Sequence, residues 1–174
     1  LCAPTGRGAK RLSEATSYAA KTIHRLLEYE FAVGVENERS GFRRNEDDQL
    51  CEDVIIVDES SMIDNMLMAC LLRAIKPGAR LIMIGDADQL PSVGAGNILH
   101  DLIKSNRFST VRLNEIFRQA EESLIVTNAH RINRGEIPLL NVKDNDFFFL
   151  RRGGDREIAL TIADLCQNRL PKRY

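Results

Sequence analysis

The chain has 174 residues, 44% hydrophobic and 28% charged, the balance of a soluble globular protein big enough for one domain or parts of two. Its formal net charge of −1 excludes wholesale basicity, so any contact with nucleic acid has to come from a local patch. No apolar run approaches ~18 residues, and "LCAPTGRGAK" lacks the basic and apolar regions of a secretory signal, so a cytoplasmic protein without a membrane partner is expected.

In chain order, Leu1–Ala3 reads as the tail of a strand, and without an initiating Met the chain is expected to come from something longer. A Pro-Thr-Gly turn follows. Helical spacing then runs through Ala9, Leu12 and Ala15, and on through Ala19, Ala20, Ile23, Leu26 and Leu27. The stretch "FAVGVENERSGFRRNEDDQL" sets apolar pieces around a polar centre, which suggests a protruding hairpin at about 30–46. A buried strand is expected at Val54–Val57 and a helix from about Ile63 to Ile75, with Met66, Leu67, Cys70, Leu71 and Ala74 on one face. "KPGAR" stops that helix, and "LIMIG" is a second buried strand. Beyond lie a helix at Asn97–Lys104, a strand at Thr110–Leu113, a helix at about Glu121–Arg134, a strand at Phe147–Leu150 and a helix at Arg156–Leu170.

Strands alternating with helices, the central strands apolar throughout, indicate an α/β fold with a parallel sheet covered by helices on both faces. The four cysteines are widely scattered with no C-x-x-C, and are expected as reduced, mostly buried thiols.

Two apolar strands end in acids, "IIVDES" and "MIGDADQ". In open parallel sheets ligands bind beyond the carboxyl ends of the strands. There Asp58 can reach a magnesium ion, which keeps most of its water and takes one or two carboxylates. Glu59 would stand beside an attacking water as general base. The same acids could instead simply cap the helix that follows. Gln89, a neutral amide, can bond both a terminal phosphate and a water without competing for the metal, unless it is merely solvated.

With both strands in view, the chain resembles superfamily 1 DNA helicases of the RecD type, the type of the exodeoxyribonuclease V α chain. "CAPTGRGAKRL" is similar to motif Ia, "AKTIHRLL" to the following DNA-contacting segment, "VIIVDESSMID" to motif II, "LIMIGDADQLPSVGAGNIL" to motif III and "VRLNEIFRQ" to motif IV. The resemblance implies part of a RecA-like P-loop NTPase core using ATP and Mg2+. Its phosphate-gripping loop would precede Leu1 and its last motifs would follow Tyr174. Residues 1–115 would be most of the first RecA-like domain, and 116–174 would open the second. Single-stranded DNA would lie against Pro4, Thr5, Gly6 and Arg7, with Lys10 and Arg11 adding charge, and against Thr22 and His24. Arg118 would reach across the cleft to the γ-phosphate. Phe42, Arg43 and Arg44 of the hairpin would steer a duplex fork, or belong to an exposed loop. RecB- and RecC-like subunits are implied partners for one branch of the family.

Two other functions remain at this point. Asp58, Glu59, Asp86 and Asp88 could form a two-metal nuclease site. Alternatively, the chain could belong to a P-loop ATPase that acts as a switch without translocating.

Overall fold

The structure, a computed structural model, describes residues 1–30, 41–113, 122–142 and 145–173. The chain divides into two compact units, Leu1–Arg112 and Leu113–Tyr174.

The first unit is built on a four-stranded parallel sheet. Its strands are β1 (Cys2–Ala3), β2 (Lys21–Thr22), β5 (Val54–Val57) and β6 (Arg80–Met83), in the order β2-β1-β5-β6. β5 and β6 run in register from Val54 opposite Arg80 to Val57 opposite Met83. Ile55 and Val57 enter a core with Cys2, Ile23, Leu27, Ile63, Leu67 and Leu71, while Val54 and Ile82 keep much of their surface exposed. The parallel α/β class expected from the sequence is borne out, but the expected burial of both strands is not: β5 buries only Ile55 and Val57, and no residue of β6 is fully buried.

Helix α1 (Gly6–Thr16) starts where the Thr5 hydroxyl accepts a hydrogen bond from the Gly8 amide at 3.1 Å, and stops at Ser17 with φ 59°. The chain then turns back into the sheet. Lys21–Thr22 pairs with β1 as a short edge strand, where the sequence had suggested continued helical spacing. Helix α2 (Ile23–Leu26) follows, capped by the Thr22 hydroxyl. β3 (Tyr29–Glu30) and β4 (Gly41–Phe42) pair antiparallel, which is the root of the expected hairpin; residues 31–40 at its tip lie outside the described residues.

Helix α3 (Asn65–Ala74) begins two residues later than expected, because a 3-10 turn occupies Ser60–Met62 and Asp64 is the cap, accepting from Leu67 N at 2.8 Å. Helix α4 (Ile98–Ser105) lies within one residue of expectation.

In the second unit, α5 (Leu124–Asn133) is capped by Ser123. Asp146 accepts from the Ser123 hydroxyl and from Leu124 N at 2.8 Å, and these bonds, the hydroxyl's first, hold its carboxyl below the usual aspartate range. Asn128 is buried and exchanges two hydrogen bonds with the Leu139 backbone. Helix α6 (Asp155–Asp164) passes through a π-helical turn at Leu165–Arg169 into α7 (Leu170–Arg173).

Two expected strands are absent. Thr110–Leu113 and Phe147–Leu150 form no regular element, and Val111, Leu113 and Phe148 are largely exposed. Their residue types favour strands, but they have no sheet partner among the described residues, and a strand is made by its pairing. The cysteines are free as expected, but only Cys2 is buried; Cys51 and Cys166 are exposed. No helix among the described residues is long and apolar enough to cross a membrane.

Candidate functional site

Parallel pairing puts the carboxyl ends of all four strands on one edge of the sheet. Three of the expected motifs meet there: Pro4–Arg7 after β1, Thr22 at the end of β2, and Asp58–Glu59 after β5. The loop carrying Gln89 follows β6.

Asp58 is held from both sides. Its N–H donates to the Cys2 carbonyl of β1 at 2.9 Å. Toward β6, Ile84 N donates to Val57 O at 2.8 Å and Ser60 N to Ile84 O at 2.9 Å. One Asp58 carboxylate oxygen accepts from Glu59 N at 2.9 Å; the other has no hydrogen bond among the described residues. A single half-buried carboxylate with a free oxygen fits a largely hydrated magnesium ion. The described residues contain no group of three or more His, Cys, Asp and Glu able to hold a metal, so Asp58, Glu59, Asp86 and Asp88 are not gathered into a two-metal site.

Glu59 has φ 54° and ψ 37°, the left-handed region, unusual for a residue with a side chain. That backbone turns its stem toward the start of α1: a Cβ built on Gly8 would lie 3.5 Å from Glu59 Cγ, 3.2 Å from the Thr5 hydroxyl and 3.1 Å from Ala3 Cβ. Gly8 thus lets Glu59 and Thr5 approach at the positive end of a helix dipole. Two residues further on, the Ser61 hydroxyl is buried and has no hydrogen-bond partner among the described residues.

Gln89 stands in an exposed turn in which its N–H donates to Asp86 O at 3.3 Å and Asp88 N to the Asp86 side chain at 3.0 Å. It shares the sheet edge with Asp58 and Glu59, but no hydrogen bond joins its side chain to either.

Between α1 and the β2–α2 junction lies a cleft of about 350 Å³, lined by Gly6, Lys10, Lys21, Thr22 and Arg25 among others. The Thr5 and Thr22 hydroxyls both accept from helix amides, which leaves each O–H free to donate to an anion. Lys21 and Arg25 were not singled out from the sequence; their placement on either side of Thr22 was the available signal.

Residues 1–149 match the model of a family described as AAA domain. The chain belongs to the AAA domain family. The ATP-dependent RecD2 DNA helicase of Deinococcus radiodurans is 40% identical over 166 residues, which is 95% of this chain and 22% of that protein. The RecBCD enzyme subunit RecD of Mycobacterium tuberculosis is 42% identical over 119 residues, 59% of this chain and 20% of that protein. The RecD-type resemblance read from the motifs is borne out, and the chain spans about a fifth of the length of these curated relatives. Among solved structures, unliganded Pif1 from Bacteroides sp matches with TM-score 0.45 and 25% identity, over 78% of this chain and 36% of that one.

In this AAA domain the His24 ring is engaged at the hairpin root. It meets Tyr29 edge-on at 5.8 Å and Phe42 at 5.6 Å, and those two rings stand 4.9 Å apart. Arg44 bonds Glu28 with two guanidinium nitrogens at 3.0 and 2.8 Å, and Arg43 lies 3.7 Å from the same carboxylate. The Arg44 bond, more than any other influence, holds the Glu28 carboxyl below its ordinary range. Arg118, expected to reach the γ-phosphate, lies outside the described residues, as does its neighbour Gln119.

Proposed function

We propose that this AAA domain is the central part of an ATP-dependent superfamily 1 DNA helicase of the RecD type, coupling ATP hydrolysis to movement along single-stranded DNA in recombination and repair. The observation that carries the reading is that the Glu59 stem and the Thr5 hydroxyl both crowd the Cβ position of Gly8, which sets the acidic strand end beside the start of the basic helix. A residue poised for hydrolysis and a residue poised for a DNA phosphate thus neighbour the same glycine.

Asp58 would hold a magnesium ion through its free oxygen, and the ion when bound neutralises charge on the phosphates. Glu59 accepts a proton from the water that attacks the γ-phosphate. Gln89 reports the presence of that phosphate from the neighbouring strand end, and Arg118 stabilises charge on the transferring group. Thr5, Gly6 and Arg7, with Pro4 shaping the turn, hold one stretch of DNA backbone; Thr22 and the cations beside it hold another. His24 acts from the hairpin root, which faces the duplex fork. Residues 1–115 form most of one RecA-like domain and 116–174 open the second. The protein works in the cytoplasm, alone or with RecB- and RecC-like subunits, and the 174 residues by themselves do not turn over ATP.

The test is ATP hydrolysis by the intact protein with and without single-stranded DNA. Stimulation by DNA, lost in Asp58→Ala and Glu59→Gln, supports the reading. Magnesium-dependent DNA cleavage that needs Asp58, without ATP turnover, would replace it with the nuclease.

A further inference from the structure

Three glycines fasten the segment carrying Gln89 onto the segment carrying Glu59. At the near end, a Cβ on Gly85 would lie 2.9 Å from the Ser60 amide nitrogen and 3.1 Å from that of Ser61. At the far end, a Cβ on Gly94 would stand 2.8 Å from Cβ and Cγ of Asp64 and collide with its carboxylate. A Cβ on Gly96, whose φ is +116°, would run into the Asn65 amide group. Between these last two, Asn65 N donates to Ala95 O at 2.9 Å. The Ser92 hydroxyl binds the carbonyls of Gly94 and Gly96 at 2.9 and 3.1 Å.

Between its anchors the loop has little packing of its own: Leu90 is 87% exposed and Val93 fully so. Its course is therefore set where its backbone presses on Asp64 and Asn65. Those residues open α3, which is fixed by the buried side chains of Leu67, Met68, Leu71 and Ala74.

We infer that Gly94 and Gly96, docked on Asp64 and Asn65, are positioning residues that set where Gln89 stands relative to Glu59 during ATP hydrolysis. This rests on the helicase reading above. The docking couples the segment after Asp58 to the Gln89 loop, because the Asp64 and Asn65 side chains abut glycine backbone with no second side chain between them. Displacing a reacting group by about 1 Å can cost on the order of 10²-fold in rate, so a small wedge in this contact is felt at the chemistry.

Gly94 is the clean probe, since its φ lies outside the left-handed region and an alanine there changes only the contact. In the intact protein, Gly94→Ala lowers kcat for DNA-stimulated ATP hydrolysis by roughly 10- to 100-fold and leaves KM for ATP nearly unchanged. Asp64→Gly removes the colliding atoms, and glycine retains most of the cap. Combined with Gly94→Ala, it restores most of kcat. Ser92→Ala adds no bulk, so it serves even if Gly94→Ala fails to fold, and it lowers kcat by about 5-fold through the lost hydrogen bonds. Amide hydrogen exchange across 85–97 rises in Gly94→Ala and returns in the double variant.

Wild-type kcat in Gly94→Ala or in Ser92→Ala overturns the inference. So does a Gly94→Ala defect that Asp64→Gly leaves in place while both variants melt like the wild type. A wild-type protein without DNA-stimulated hydrolysis removes the helicase reading itself, a different result from either.

Discussion

The Ser60 amide donates to the Ile84 carbonyl at 2.9 Å, tying the residue after Glu59 to the last residue before the Gly85 turn. The two acidic strand ends are thus joined through the backbone. The consequences can be measured residue by residue.

Glu59 combines a proposed chemical role with a backbone conformation that costs about 1 kcal/mol for a residue with a Cβ. Glu59→Gln, which keeps the shape and removes the base, is expected to slow hydrolysis by roughly 10²- to 10⁴-fold while nucleotide still binds. Glu59→Gly abolishes hydrolysis but raises unfolding stability by up to about 1 kcal/mol in urea titrations, since glycine adopts the left-handed region freely.

Ser61 buries a hydroxyl with no partner among the described residues. Removing an unsatisfied buried polar group recovers part of its desolvation cost, so Ser61→Ala gains about 1 kcal/mol of stability in the same titration. A loss instead would mean that the hydroxyl has a ligand in solution.

Lys21 and Arg25 line the cleft beside Thr22. If each meets a phosphate, replacing either with alanine weakens single-stranded DNA binding across all sequences. The slope of log affinity against log salt then shrinks by about 0.7 per lost contact, as counterion release requires. Fluorescence anisotropy over a salt series reads both quantities. An unchanged slope would leave the cleft without a role in DNA binding.

Burial pushes the Cys2 thiol up to about 11, from an ordinary 9.0. A folded-state value raised above the unfolded one means that stability is intact below the ordinary value and declines as pH climbs from 9.0 toward 11. Cys2→Ala, less well packed, should lack that alkaline decline in chemical denaturation at successive pH values. Native-state thiol labelling should be fast at Cys51 and Cys166 and slow at Cys2.

Glu28 shifts the opposite way, so its tie to Arg44 is complete above the ordinary glutamate value of 4.5 and is lost as pH falls through its lower folded value. Acidification should therefore lower the hydrogen-exchange protection, relative to the intrinsic rate at each pH, of the Arg43 and Arg44 amides, which donate to Glu28 and Leu27 across the hairpin root. Glu28→Gln should show the lower protection already at neutral pH.

The existence and place of the strand Val54–Val57 could be read directly from four apolar residues ending in acids, although only Ile55 and Val57 are buried. Lys21–Thr22 could not. A two-residue strand leaves no periodicity of its own, and Ala19, Ala20 and Ile23 around it mimic a helix. Thr110–Leu113 and Phe147–Leu150 show the reverse failure, strand-forming residues without a strand to pair with. At the site, acids and glutamine could be named from residue type and position. The left-handed backbone of Glu59, the orphaned Ser61 hydroxyl and the fit of Gly94 against Asp64 arise only once distant segments touch, and no local pattern announces them.

β6 ends the sheet, and among the described residues its outer side bonds to nothing, with Ile82 and Ile84 about half exposed beside that bare rim. A hydrophobic edge of this kind is a template for whatever extended peptide reaches it first. Handled on its own at high concentration, the polypeptide should recruit copies of itself there, so light scattering should grow with protein concentration. A charge planted at Ile82 should suppress it.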